Sequence, residues 1–170
     1  MAGGPLEGVR VVDLSSVVVG PLATQTLADY GAEVIKVESP SGDIARNLGG
    51  RAVTANMSSK FLHLNRNKRS LVLDLKQAAG HRALLKLIER ADVMLWNLRP
   101  SAMDRLKLSY AQVRAVNPKI IYCGLFGFGR RERYCEKPAY DTIIQGGSGI
   151  AALNHRAMGE PRYVPISGIR

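Results

Sequence analysis

Two hydrophobic rhythms alternate along this chain. Residues 9–14, VRVVDL, form a short apolar run rich in β-branched side chains, the pattern of a strand buried in a parallel sheet. Leu22, Thr26, Leu27 and Tyr30 then recur at helical spacing behind Gly20-Pro21. Pro21 suits a first helical turn, where its missing N–H would have no intrahelical partner, and Gly31 stops the helix. Residues 33–38, EVIKVE, read as a second strand. Strand, turn, helix and strand in about thirty residues make a βαβ unit with a right-handed crossover. Ligands of such sheets bind beyond the carboxyl ends of the strands. Residues 15–20 and 38–43 therefore mark the working edge.

The alternation continues downstream. Residues 39–59 are a long loop rich in Gly, Ser and Asn, a length that belongs to functional or mobile segments. Strands are predicted over 70–74, 92–96 and 119–123. A helix is predicted over 77–90, with Leu84, Leu87 and Ile88 as its apolar stripe. Shorter helical stretches cover 103–106 and 110–116, the second stopping before Pro118. A Gly-rich loop spans 124–138, and 141–152 is a helix weakened by Gly146, Gly147 and Gly149. Strands alternating with helices specify an α/β domain with a mainly parallel, Rossmann-like sheet. With 170 residues and no internal repeat, the chain reads as one domain, 1–170.

Composition narrows the partners. At 46% hydrophobic and 22% charged residues the chain is an ordinary globular sequence. Its net charge of +10 calls for an anionic partner or none. Nucleic acid is disfavoured, because aromatics are 6% of the chain and no basic stripe interleaves with them. The apolar runs are too short to span a bilayer, and MAGGPLEG has no secretory apolar core. A cytoplasmic protein without membrane association is expected. Cys123 and Cys135 match no zinc spacing, and His63, His81 and His155 stand alone, so no metal is expected.

Candidate chemistry is sparse. The first turn lacks G-x-G-x-x-G, which leaves Glu38, placed like a ribose-binding acid, as weak support for a dinucleotide site. Basic residues recur around strand ends: Lys68 and Arg69 before the third, Arg99 and Arg105 after the fourth, Arg130, Arg131, Arg133 and Lys137 after the fifth. In a parallel sheet, residues before and after a strand lie at opposite edges. Solvated charge and a phosphate-binding rim are both open readings of this set.

Five blocks, in order, carry a resemblance. They are PLEGVRVVDLSSVVVGPLATQTLADYGAEVIKVESPSGDIAR, NRNKRSLVLDLK, ADVMLWNLRPSAMDRLKLSY, NPKIIYCGLFGFG and PAYDTIIQGGSG. Together they resemble the amino-terminal part of the family III CoA-transferases. The resemblance implies coenzyme A or acyl-CoA as substrate, a small carboxylic acid as acceptor, no metal, and an interlocked homodimer. It implies that Val17, Val18 and Val19 lie along the CoA, and that Lys68 or Arg69 meets its nucleotide end. It also implies CoA contacts at Asn97, Leu98, Ala102, Arg105 and Leu106, with a further basic contact near Lys137. Tyr140 matches an active-site tyrosine.

The chemistry implied is covalent. An aspartate carboxylate attacks the thioester to give an acyl–aspartyl anhydride and CoA thiolate, and an aspartyl-CoA thioester then passes CoA to the acceptor. The sequence departs from the family at Trp96, usually glutamate, at Ser101, usually glycine, and at Ser39, basic in some members. Residues 130–133 replace a Gly-Pro turn. The nucleophilic aspartate would fall at about residue 170, counting on from Tyr140 within this covalent scheme. No aspartate follows Asp141. A frameshifted, truncated or degenerate chain would read this way. Two classes stand: a CoA-transferase whose nucleophile is absent here, and a non-catalytic CoA-binding or interaction protein. Acyl-CoA racemases come third, because they carry a histidine base where Tyr140 stands.

Overall fold

Five short parallel strands form the core of the computed structural model, which describes residues 3–50, 52–129 and 133–164. They are β1 (Arg10–Asp13), β2 (Glu33–Glu38), β3 (Lys68–Val72), β4 (Val93–Trp96) and β5 (Ile121–Gly124). Their spatial order is β3-β2-β1-β4-β5, the doubly wound arrangement in which β1 lies at the centre. The chain divides between Leu125 and Phe126 into two units, a division that the sequence pattern did not announce.

In the first unit the helices are α1 (Val19–Asp29), α2 (Ser59–Leu64), α3 (Ala78–Ile88), α4 (Pro100–Arg105) and α5 (Tyr110–Val116). Successive strand residues face opposite sides, so both faces of β1 must be covered. Val11 packs with Ala28, Ala32 and Val34. Val12 and Met94 pack with Leu84 and Ile88 of α3, Met103 of α4 and Val113 of α5. Leu84 and Ile88 are fully buried, and Leu87 lies partly buried against the same cluster.

β2 and α5 have the limits that the periodicity predicts, whereas β3 begins at Lys68 rather than at residue 70. Lys68, Arg69 and Ser70 are in register with Val34, Ile35 and Lys36, so backbone pairing extends the strand into polar sequence. The helix α2 lies in a stretch for which the periodicity predicts no element. Ser58 caps it by accepting from the Phe61 N–H at 3.0 Å, and Phe61 and Leu64 are buried.

The long loop after β2 is tied down at several points. A 3-10 helix covers Ile44–Asn47, capped by the Asp43 side chain. Ser58 Oγ donates to the Ala45 carbonyl at 2.6 Å. Arg46 donates to both carboxylate oxygens of Glu38, at 2.8 and 2.7 Å, and its guanidinium lies 3.9 Å from the Phe61 ring centroid.

The second unit contains α6 (Asp141–Gly147) and α7 (Ile150–Met158). The predicted helix over 141–152 divides at Gly149, whose φ of 82° is left-handed and suits glycine. Gln145 is buried and exchanges two 2.7 Å hydrogen bonds with the Val164 backbone. Arg130 and Arg131, part of the basic set noted above, lie outside the described residues.

Two stability predictions follow from this packing. Leu84→Ala should cost about 2–5 kcal/mol, the usual range for deleting a buried leucine side chain, read as a lower urea midpoint. The second concerns acid. Burial of Glu38 raises its carboxyl, but the Arg46 hydrogen bonds, the Asp43 N–H and the Arg46 and Lys36 charges together hold it below the ordinary carboxylate value. A depressed carboxyl stabilises the fold above its unfolded pKa and loses that contribution as pH falls through the folded one. Arg46→Met should therefore destabilise the neutral protein by about 3 kcal/mol. Its acid unfolding, followed by circular dichroism, should begin at higher pH than in the wild type.

Candidate functional site

The turn between β1 and α1 is held by side chains at the N–H and carbonyl of Ser15 and Ser16 and at the N–H of Val17. The Ser15 N–H donates to Asp13 at 2.8 Å, and the Ser15 carbonyl accepts from Lys36 Nζ at 2.8 Å. Asn97 brackets Ser16, accepting from its N–H at 3.0 Å and donating to its carbonyl at 2.8 Å. The Val17 N–H donates to Asp43 Oδ1 at 3.1 Å. Val17 itself has a φ of 72°, a left-handed conformation that costs a β-branched residue roughly 1–3 kcal/mol.

After the turn, α1 starts beneath a tight approach. A Cβ on Gly20 would come within 2.2 Å of Ser15 Oγ, and that hydroxyl is already fixed on Asp13 at 2.5 Å. Among the described residues the N–H groups of Val18, Val19 and Gly20 donate to no acceptor. They are the orphan donors of a helix start, and Val18 supplies no side-chain cap.

The partner turn follows β4. β1 and β4 are neighbours in register, Asp13 beside Leu95, while β2 lies on the other side of β1. Chain connections leave in opposite directions here, which is where open α/β sheets form a ligand crevice. The Asn97 bonds to Ser16 span this point. Val17, Val18, Val19, Asn97 and Leu98 are thus brought together. Ala102, Arg105 and Leu106 follow on and just after α4, which opens with Pro100 at its first turn. Leu98 and Leu106 pack partly buried against the core. Arg105 is exposed and has no hydrogen bond or ion pair among the described residues.

Lys68 and Arg69 are placed otherwise. The Lys68 ammonium is sunk beside Asp13 at 3.1 Å, with both side chains at or below 1% exposure, and it donates also to the Pro21 carbonyl and to Asn65. Burial pushes it down to about 8, against the pull of the Asp13 carboxylate. Arg69 pairs at 2.9 Å with Glu33, the first residue of β2, at the opposite end of the strands from Val17. Lys68 is thus an internal counter-ion in this structure, and Arg69 pairs at the amino-terminal end of the strands.

In the second unit, Lys137 lies 4.4 Å from the Tyr134 ring centroid, and Tyr140 is exposed immediately before α6. The expected nucleophile position, about residue 170 in the covalent scheme, lies outside the described residues. The carboxylates at the first unit's edge are not substitutes, because Asp13, Glu38 and Asp43 are all buried in ion pairs.

Sequence reasoning missed Lys36 and Asp43, which pair at 3.0 Å with side chains 2% and 1% exposed. A signal was present: a lysine inside the apolar run EVIKVE needs a buried acid near it. Among the described residues no helix is long and apolar enough to cross a membrane.

Comparison with known proteins agrees with this geometry. The model of "CoA-transferase family III" matches residues 6–169. A succinate–glutarate CoA-transferase of Agrobacterium fabrum is 41% identical over 169 residues, which is 96% of this chain and 42% of that protein. A formyl-CoA:oxalate CoA-transferase of Streptomyces avermitilis is 42% identical over 156 residues, covering 92% of this chain and 38% of that one. The crystal structure of a CAIB/BAIF family protein from Brucella suis superposes with a TM-score of 0.88 at 38% identity, over 98% of this chain and 45% of that one. The chain thus spans less than half the length of these relatives, along their amino-terminal part. It belongs to the family III CoA-transferases.

Proposed function

We propose that this chain supplies the CoA-binding part of an enzyme that moves CoA from an acyl-CoA thioester to a carboxylic acid acceptor. The observation that carries the reading is the Asn97 bridge, which joins the β1–α1 and β4–α4 turns across the switch point of the sheet. Near the partner turn it leaves three N–H groups, at Val18, Val19 and Gly20, unengaged among the described residues. In this reading Val17, Val18, Val19, Asn97, Leu98, Ala102 and Leu106 line the ligand. Arg105, exposed and unpaired among the described residues, meets a CoA phosphate through charge-assisted hydrogen bonds.

Lys137 as a basic CoA contact and Tyr140 as an active-site tyrosine are separate parts of the proposal, supported by the family resemblance alone. The donor and acceptor of the transfer, like the homodimer, are part of the proposal. The donor and acceptor classes draw support from relatives named for formyl-CoA with oxalate and for succinate with glutarate.

Titration calorimetry with CoA and with pantetheine, which lacks the nucleotide phosphates, tests the assignment. The wild-type chain should bind CoA, and Arg105→Ala should weaken that binding by about tenfold or more. Loss of one charge-assisted contact is worth roughly 1.5–3 kcal/mol. Pantetheine binding should not change. Equal CoA affinity in both proteins would remove Arg105 from the site, and a wild type that binds no CoA would defeat the whole reading.

A further inference from the structure

The left-handed Val17 has no cause in its own neighbourhood of sequence. Glycine or asparagine usually occupies such a position, and a valine stays there only when its surroundings over-determine it. Two buried side chains from the neighbouring strand and loop do so. Lys36 Nζ, on β2, lies 2.8 Å from the Ser15 carbonyl and 3.0 Å from Asp43 Oδ2. Asp43 Oδ1 accepts from the Val17 N–H at 3.1 Å and from the Ala45 N–H at 2.9 Å. The Asp43 backbone is fixed in turn, its N–H donating to Glu38 Oε2 at 2.9 Å, and Arg46 holds the same carboxylate. One ion pair thus grips the turn on both sides of Ser16, by a carbonyl before it and an N–H after it.

We infer that the buried Lys36–Asp43 pair is the positioning element of the β1–α1 turn: it imposes the left-handed conformation at Val17 and so sets the backbone of residues 17–20 in its CoA-binding shape. Neither residue need touch the ligand. The inference rests on the CoA-binding reading above and extends it to two residues outside the proposed contact set. Its logic is a population argument. Without the pair, Val17 relaxes to an ordinary conformation, the competent turn becomes a minor state, and apparent affinity falls by the fraction lost. Glycine at position 17 accepts a left-handed φ without the clamp, so it should return much of what the clamp provided.

The experiment uses the full chain in four forms: wild type, Asp43→Asn, the double variant Lys36→Met/Asp43→Ala, and the double variant with Val17→Gly added. The double variant removes the acceptor without leaving a buried ammonium unpaired, so the test survives if Asp43→Asn does not fold. Amide exchange at Val17 by NMR and CoA affinity by calorimetry are measured beside the thermal midpoint. The expected result is a folded double variant with an unprotected Val17 amide and a Kd for CoA raised about tenfold. Adding Val17→Gly should restore most of that affinity without restoring the thermal midpoint, a recovery that a merely structural role would not give. A folded double variant that binds CoA as the wild type does would overturn the inference. If the wild type binds no CoA, the CoA-binding reading fails on its own, and Val17 protection decides the clamp. Retained in the double variant, it overturns the inference as well.

Discussion

Three ion pairs buried at and around the ends of the first three strands set the terms for the rest of the first unit. Asp13 is paired with Lys68, Lys36 with Asp43, and Glu38 with Arg46. An isolated charge moved into such surroundings is prohibitively costly, so each of these groups is tolerated only with its partner and hydrogen bonds in place. That requirement reaches beyond the pairs. Asp13 and Lys36 lie opposite each other in the β1–β2 register, and a slip of one strand by one residue would put them on opposite faces of the sheet. Glu38 and Arg46 anchor the loop after β2, and Asp43 within that loop reaches back to the first turn. Register, loop and turn are thus specified by one set of charges.

This division of labour explains which polar groups remain for a ligand. The acids and their three partner cations, Lys36, Arg46 and Lys68, are consumed internally. Among the described residues, backbone donors at the start of α1 and the guanidinium of Arg105 are left open. A family chemistry built on a carboxylate nucleophile cannot use Asp13, Glu38 or Asp43 while they neutralise buried cations. In the first unit these three acids therefore serve as scaffold. The Asn97 bridge is the economical part of the design, since one amide side chain satisfies both polar groups of Ser16 and fixes the spacing of two turns.

The amino-acid sequence alone determined the elements whose signal is local. The apolar runs of β1, β2 and β4, the stripe of α3 and the stop before Pro118 depend on periodicity and backbone chemistry within a few residues. The parallel sheet follows from their alternation, and the ordered blocks led to the family. What only the tertiary structure decided has one physical cause, that pairing between distant residues leaves no mark on local pattern. Lys68 and Arg69 look alike in sequence, yet one neutralises Asp13 across 55 positions and the other meets Glu33 across 36. β3 extends into polar residues because β2 lies beside them. The helix α2 forms where its cap and two apolar contacts find partners, and Val17 takes a glycine's conformation because Asp43, 26 residues away, accepts its N–H.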